Sequence, residues 1–353
     1  MTTKAVTNVY QQDISTLMNP GTEKRQGMRG FDDDYVDIVD YIVRCTHKIW
    51  EEHAIGLIYT HYAHNCIVHT AYGTTHGIET MIKDTLQTQA AFTNRMALAD
   101  DVIWSGNDID GYYSSHRVTS VGRNTGYTQY GPPTGRTVAR HGFAECFVRE
   151  NRIIEEWLVR DSVGFLRQMG LDPKQVVADM AKYGASEWMK LEPRGDIERT
   201  RGQLPPPIWP PTKTDGFDVE DFVRRSYHEI WNWRLLNKIE TCYAKNHVCH
   251  MTGQRELYGR AALLQFILSM LAMFPDGAIE IDHFAVVGND HDSYRVATRW
   301  TFQGTHEGHG VYGAPTNKRV QIMGVSHHHI KDGLFTQEWT LFDEIALMLQ
   351  LAL

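Results

Sequence analysis

Two groups of side chains, one in each half of the chain, have the types and spacing to move protons. The first is Trp50, His69, His141, Glu145 and Asp161; the second is Trp231, His250, His327, His329 and Asp343. Histidine titrates near neutral pH and suits a proton shuttle. A carboxylate in an apolar mouth is raised toward a pKa at which it can exchange protons with carbon beside a carbonyl. Each member also has a plainer reading. Asp161 and Asp343 each close an apolar run at the entrance to a helix. Aspartate is favoured there as an N-cap, a contribution of about 1 kcal/mol. A lone histidine in a β-rich interior is ordinarily a hydrogen-bonded core residue. The run Ser326-His327-His328-His329 lies inside the chain. In a strand, His327 and His329 share one face and could chelate a divalent ion. No other segment has ligand spacing, so neither a metal nor a cofactor is expected. Aromatic residues, among them Trp50, Tyr62, Trp231 and Tyr243, could line a pocket for a flat polycycle or a quaternary cation, or simply pack a core.

The elements that must position these residues occur twice. Gly106-Asn107-Asp108-Ile109-Asp110 returns 182 residues later as Gly288-Asn289-Asp290-His291-Asp292. In the same register Arg117 meets Arg299, Gly142 meets Gly324, Glu156-Trp157 meets Glu338-Trp339, and Asp161 meets Asp343. A gapless repeat of this length is a duplicated domain rather than a solenoid unit. In each copy a helix comes first, with His47 and Trp50 matched by His228 and Trp231. A short second helix follows, ending at Asn65 and Asn246, then a strand and another helix. Long strands complete each copy, with two-residue turns at Glu150-Asn151 and Asp332-Gly333. Helices before strands imply an α+β class. Along 136–148, strand parity puts His141, Phe143, Glu145 and Phe147 on the pocket face, matched by Met323, Val325, His327 and His329. The expected boundaries are an arm at 1–33, a first domain at 34–172, an extra helix and Pro-rich linker at 173–216, and a second domain at 217–353.

Composition sets the outer limits. The 353 residues carry 42% apolar and 22% charged side chains and a net charge of −8. That is a globular balance and argues against a nucleic-acid partner, which wants a basic face. Five scattered cysteines suit reduced thiols. The N-terminal residues lack a signal-peptide core, and no apolar run is long enough for a bilayer. The expectation is a cytoplasmic protein without a membrane partner.

The order of elements, with a Gly-rich turn into Arg149–Asp161 and the following Phe165-Leu166-Arg167-Gln168-Met169-Gly170, resembles the SnoaL-like polyketide cyclase group of the nuclear-transport-factor-2-like superfamily. Lys331-Asp332-Gly333, Glu338-Trp339 and Asp343 carry the same resemblance in the second copy. It implies two tandem cone-shaped α+β barrels of cystatin-like type, each a curved antiparallel sheet wrapped around helices. It also implies that Asp161 and Asp343 sit where the cyclases keep the acid/base of ring closure. His329 stands where they keep a pocket histidine; the first copy has Phe147 there. The implied protein is a cofactor-free acid/base enzyme of cyclase, isomerase, dehydratase or hydrolase type, acting on a small carbonyl-bearing or apolar metabolite. Asp161 or Asp343 would move the proton and His141 or His329 would relay it, with Trp50, His69, Glu145, Trp231, His250 and His327 around the substrate. A small-molecule-binding or scaffold protein with one or both pockets degenerate is the alternative. Single-domain relatives commonly dimerise, so an internal pseudo-dimer and a further homo-oligomer are expected.

Overall fold

The structure, a computed structural model, describes residues 5–10, 12–183, 216–289, 291 and 293–353. They form two compact units, 1–172 and 173–353. The prolines expected to form the linker, 205–211, lie outside the described residues.

In the first unit the N-terminal residues pack onto the core. A short helix, α1 (Ile14–Met18), is capped by Asp13, and Val9, Leu17, Met28, Phe31 and Tyr35 are buried against the body of the unit. Buried Asp37 ties this segment down: it accepts from the Thr7 backbone N–H at 2.9 Å and lies 3.3 Å from Arg25. Asp37 also caps α2 (Ile38–Trp50), whose apolar stripe faces the sheet. Next come α3 (Ile58–His61), β1 (Tyr62–Thr70), β2 (Gly73–His76) and α4 (Ile78–Ala91). Four long strands follow: β3 (Met96–Asn107), β4 (Gly111–Arg123), β5 (Thr137–Arg149) and β6 (Arg152–Arg160). The unit closes with α5 (Ser162–Met169), ended by Gly170 in the left-handed region at φ 79°.

The second unit begins with α6 (Pro173–Ala181). It then repeats the plan: α7 (Val219–Tyr227) running into a π-helical turn at His228–Asn232, α8 (Ile239–Cys242), β7 (Tyr243–Met251), β8 (Arg255–Tyr258) and α9 (Gly259–Met273). The strands are β9 (Ala278–Asn289), β10 (Ser293–Thr305), β11 (Arg319–Lys331) and β12 (Leu334–Phe342), and α10 (Glu344–Ala352) ends the chain. The helix expected to reach Asn65 and Asn246 is shorter: it gives way to strand at Tyr62 and at Tyr243, which pair in parallel with Ile153 and Phe335.

Both sheets have six strands, in the orders β2-β1-β6-β5-β4-β3 and β8-β7-β12-β11-β10-β9. Only β1/β6 and β7/β12 run parallel. The hairpin turns are as expected from sequence: Glu150 and Asn151, and Asp332 and Gly333, all have positive φ between 47° and 71°. Such turns match the right-handed twist of their strands. Among the described residues no helix is long and apolar enough to cross a membrane. All five cysteines are free and buried.

Candidate functional site

The second unit encloses a cavity of about 570 Å³, the open space at its mouth included. Its walls are aromatic and aliphatic. Helix α9 is apolar almost all round and supplies Leu263, Phe266, Ile267 and Met270. Tyr227 and Trp231 come from α7 and its π-helical extension, Tyr243 and Met251 from β7, Trp300 and Phe302 from β10, and Ile322 from β11. Strand β12 contributes Glu338, Thr340 and Phe342, alternate positions of one face. Gly324 makes this wall possible, because the Trp300 indole lies where a side chain at 324 would project. The aromatic walls bury apolar surface, and Glu338 is the one carboxyl of the lining.

Glu338 is buried to 5% exposure and sits among imidazoles. His328, paired with it across β11 and β12, places Nδ1 at 3.5 Å from Oε2, and His247 of β7 places Nε2 at 3.8 Å from the same oxygen. Thr340 donates its hydroxyl proton to the other oxygen, Oε1. Behind Thr340 runs a chain of hydroxyls. Ser326 Oγ lies 2.7 Å from Thr340 Oγ1, and it accepts from Trp300 Nε1 at 3.0 Å and from the Tyr227 hydroxyl at 3.3 Å. Tyr227 also lies 3.1 Å from His328 Nε2. Burial pushes the Glu338 carboxyl up, but the charge and hydrogen bond of His328, then His247 and Thr340, pull it down further, to about 2. Burial holds His247 down to about 4 against the pull of Glu338. His247 is therefore neutral at neutral pH.

Tyr243 faces the same space. Its ring packs on Phe335 at 4.7 Å and edge-on to His247 at 4.9 Å. Burial first, and then the charge of Glu338, keep its hydroxyl well above its ordinary range, so it stays protonated.

Of the residues expected to surround this pocket, Trp231 lines it. His250, His327, His329 and Asp343 do not, because the cavity takes the even-numbered row of β11 and the odd row lies on the opposite face. There His250 stacks on Trp339 at 5.2 Å and pairs with Glu256 at 2.7 Å, and His329 meets Trp339 edge-on at 5.0 Å. His327 is fully buried on that face. Asp343 is buried and accepts the Ile345 and Ala346 N–H groups at 3.0 and 3.1 Å, capping α10. In the first unit Asp161 caps α5 through Gly164 N–H at 2.9 Å. His141 is exposed and reaches Thr119 at 3.0 Å, and Glu145 is buried on the same odd row. His69 stacks on Trp157 and pairs with Glu155 at 2.6 Å. Trp50 carries the Arg95 guanidinium on its face at 3.9 Å. Among the described residues no group of three or more His, Cys, Asp or Glu side chains is placed to hold a metal ion.

Sequence reasoning missed Glu338, Tyr243 and His328. Glu338 was visible as half of the repeated Glu-Trp pair. The small residues of the even row, Gly324 and Ser326, marked the face with room above it.

A family model for SnoaL-like polyketide cyclases matches the chain twice, over residues 40–169 and 221–351. No curated protein matches the sequence. Several solved structures are similar to one copy. A candidate SnoaL-like polyketide cyclase from Jannaschia sp. CCS1 is 15% identical, over 39% of this chain and 97% of that one, with a TM-score of 0.35. IdmH from Streptomyces antibioticus is 21% identical, over 39% and 100%, with a TM-score of 0.33. A SnoaL-like polyketide cyclase from Agrobacterium tumefaciens strain C58 is 20% identical, over 38% and 99%, with a TM-score of 0.32.

Proposed function

Because the chain belongs to the SnoaL-like polyketide cyclase family in both halves, we propose that its second unit is an acid/base enzyme. Its substrate is a flat, carbonyl-bearing molecule, and Glu338 takes a proton from carbon. The observation that carries this reading is a carboxylate in the wall of an aromatic cavity, Glu338, with the imidazoles of His328 and His247 beside its Oε2. A lining of this kind suits a flat, largely apolar body.

The electrostatics narrow the chemistry. A carboxyl held near 2 is ionised throughout the working range but is a weak base. It suits a C–H already activated by two carbonyls, as in a β-keto ester. In that step the C–H bond breaks, the proton goes to Glu338 Oε2, and the electron pair moves onto the carbonyl oxygen. The resulting carboxylic acid returns the proton, either to oxygen to give the enol or to carbon. Thr340 and the hydroxyls behind it hold Oε1, and the imidazoles of His328 and His247 flank Oε2 at 3.5 and 3.8 Å, so Oε2 is the oxygen assigned to the proton.

For the first unit the residues favour a structural or binding role. Cys146 and Cys66 stand where the second unit has His328 and His247, and Leu158 and Ala144 stand where it has Thr340 and Ser326.

The test is deuterium exchange at the α-carbon of ethyl benzoylacetate in D2O, followed by NMR. The full chain should accelerate exchange over buffer, and Glu338→Gln should remove about a hundredfold or more of that acceleration. Exchange no faster than buffer, or full activity in the variant, would refute the assignment.

A further inference from the structure

The proton chemistry proposed for Glu338 leaves negative charge on a carbonyl oxygen, and that charge needs a hydrogen-bond donor in the cavity. Apart from the Trp231 indole N–H, the other donors of the lining are committed within the protein. Trp300 Nε1 donates to Ser326, Ser326 and Thr340 are bonded to each other, and Thr340 donates to Glu338. The Tyr227 hydroxyl lies between Ser326 and His328. Tyr243 differs. Its side chain is 5% exposed, it lines the cavity, and its hydroxyl makes no hydrogen bond to any described residue.

We infer that Tyr243 is a second catalytic residue, whose hydroxyl donates to the substrate's carbonyl oxygen while Glu338 Oε2 takes the α-proton. This rests on the reading of the cavity as the working site. The placement is well made for the task. Tyr243 opens β7, and its ring is held between Phe335 and His247, so the hydroxyl is carried on a packed aromatic with little freedom to lose on binding. It keeps its proton beside an ionised carboxylate, since both burial and the Glu338 charge oppose its ionisation. Donor and base therefore occupy one wall region in complementary states, an O–H for the oxygen and a carboxylate for the carbon acid. Because the tyrosine polarises the carbonyl, it also lowers the demand on a weak base.

The probe is 2-acetylnaphthalene, a flat ketone, with 2-ethylnaphthalene as its oxygen-free counterpart. Calorimetry on the full chain should show the ketone binding about tenfold tighter or better, the scale of one buried hydrogen bond. Its bound carbonyl stretch should move to lower frequency than in an apolar solvent. In Tyr243→Phe, which keeps the ring and its packing, both the preference and the frequency shift should vanish. That variant should also lose roughly tenfold or more in kcat for exchange, with KM little changed. If neither naphthalene binds, the cavity reading itself fails. If both bind equally with an unshifted carbonyl, or if Tyr227→Phe rather than Tyr243→Phe abolishes the shift, the role of Tyr243 is overturned and the cavity stands.

Discussion

Glu156 and Glu338 occupy the same place in the two copies, on the same strand and opposite the same position of the neighbouring one. Their surroundings send them in opposite directions. Glu338 faces His328 and His247 and is drawn down to about 2. Glu156 has the thiol of Cys146 at 3.9 Å, with Cys45 and Cys66 in the same buried cluster. Burial pushes it up to about 7, and the charge of Arg160 recovers only part of the shift. Burial acts on both carboxyls; what differs is whether a neighbour can offer positive charge or a strong donor. A thiol carries no positive charge and is only a weak donor: Cys146, held well above its ordinary range, keeps its proton, and its long hydrogen bond lowers Glu156 less than Arg160 does. Thiol for imidazole at two positions, with Leu158 for Thr340, separates a carboxyl that keeps its proton through mild acid from one that is charged throughout.

The contrast has thermodynamic consequences of opposite sign. Glu156 is raised from 4.5 to about 7 in the folded state. Its contribution is complete below its unfolded pKa and is lost as pH rises through about 7, a swing of about 3 kcal/mol. Glu338 is lowered, so its contribution is present above its unfolded pKa and lost as pH falls toward about 2. Denaturant unfolding of Glu156→Gln should thus show a gain over the parent of about that size at pH 8 that shrinks to nothing near pH 4. A flat difference across that range would mean that Glu156 is not raised in the folded state.

A smaller effect distinguishes the two sheet faces at the matched glycines. At Gly324 an added methyl would strike the Trp300 indole, whereas at Gly142 the nearest atom is the Val159 carbonyl oxygen at 3.3 Å and the matched side chain, Val118, is 4.0 Å away. Gly324→Ala should cost about 1–3 kcal/mol by displacing the indole. Gly142→Ala should cost less, and thermal unfolding of each variant decides it. Equal costs would mean that the indole does not shape the second unit in the way described.

Much of the architecture was legible in the sequence. The duplication, the α+β order, both hairpin turns and the helix carrying Trp231 were readable because each rests on local chemistry or on register. The pocket face was not. Alternation in a strand identifies two rows, and burial normally tells which is inward. Here both rows of β11 are buried: Val325 and His327 on one side, Ile322, Ser326 and His328 on the other. With no polar row to mark the outside, the histidines of the odd row looked as eligible as His328. Asp161 and Asp343 stood out because a cap and an acid/base residue share the same sequence signature. Tyr243 was hidden by an expected helix that in fact ends one residue before it.

The two matched glutamates hold different charge states, and the second, Glu338, lines a cavity. Infrared difference spectra at pH 5.5 between the full chain and its Glu156→Gln and Glu338→Gln variants test this directly. Glu156→Gln should remove a protonated-carboxyl band, and Glu338→Gln should remove a carboxylate band. If both substitutions remove bands of the same kind, the account is contradicted.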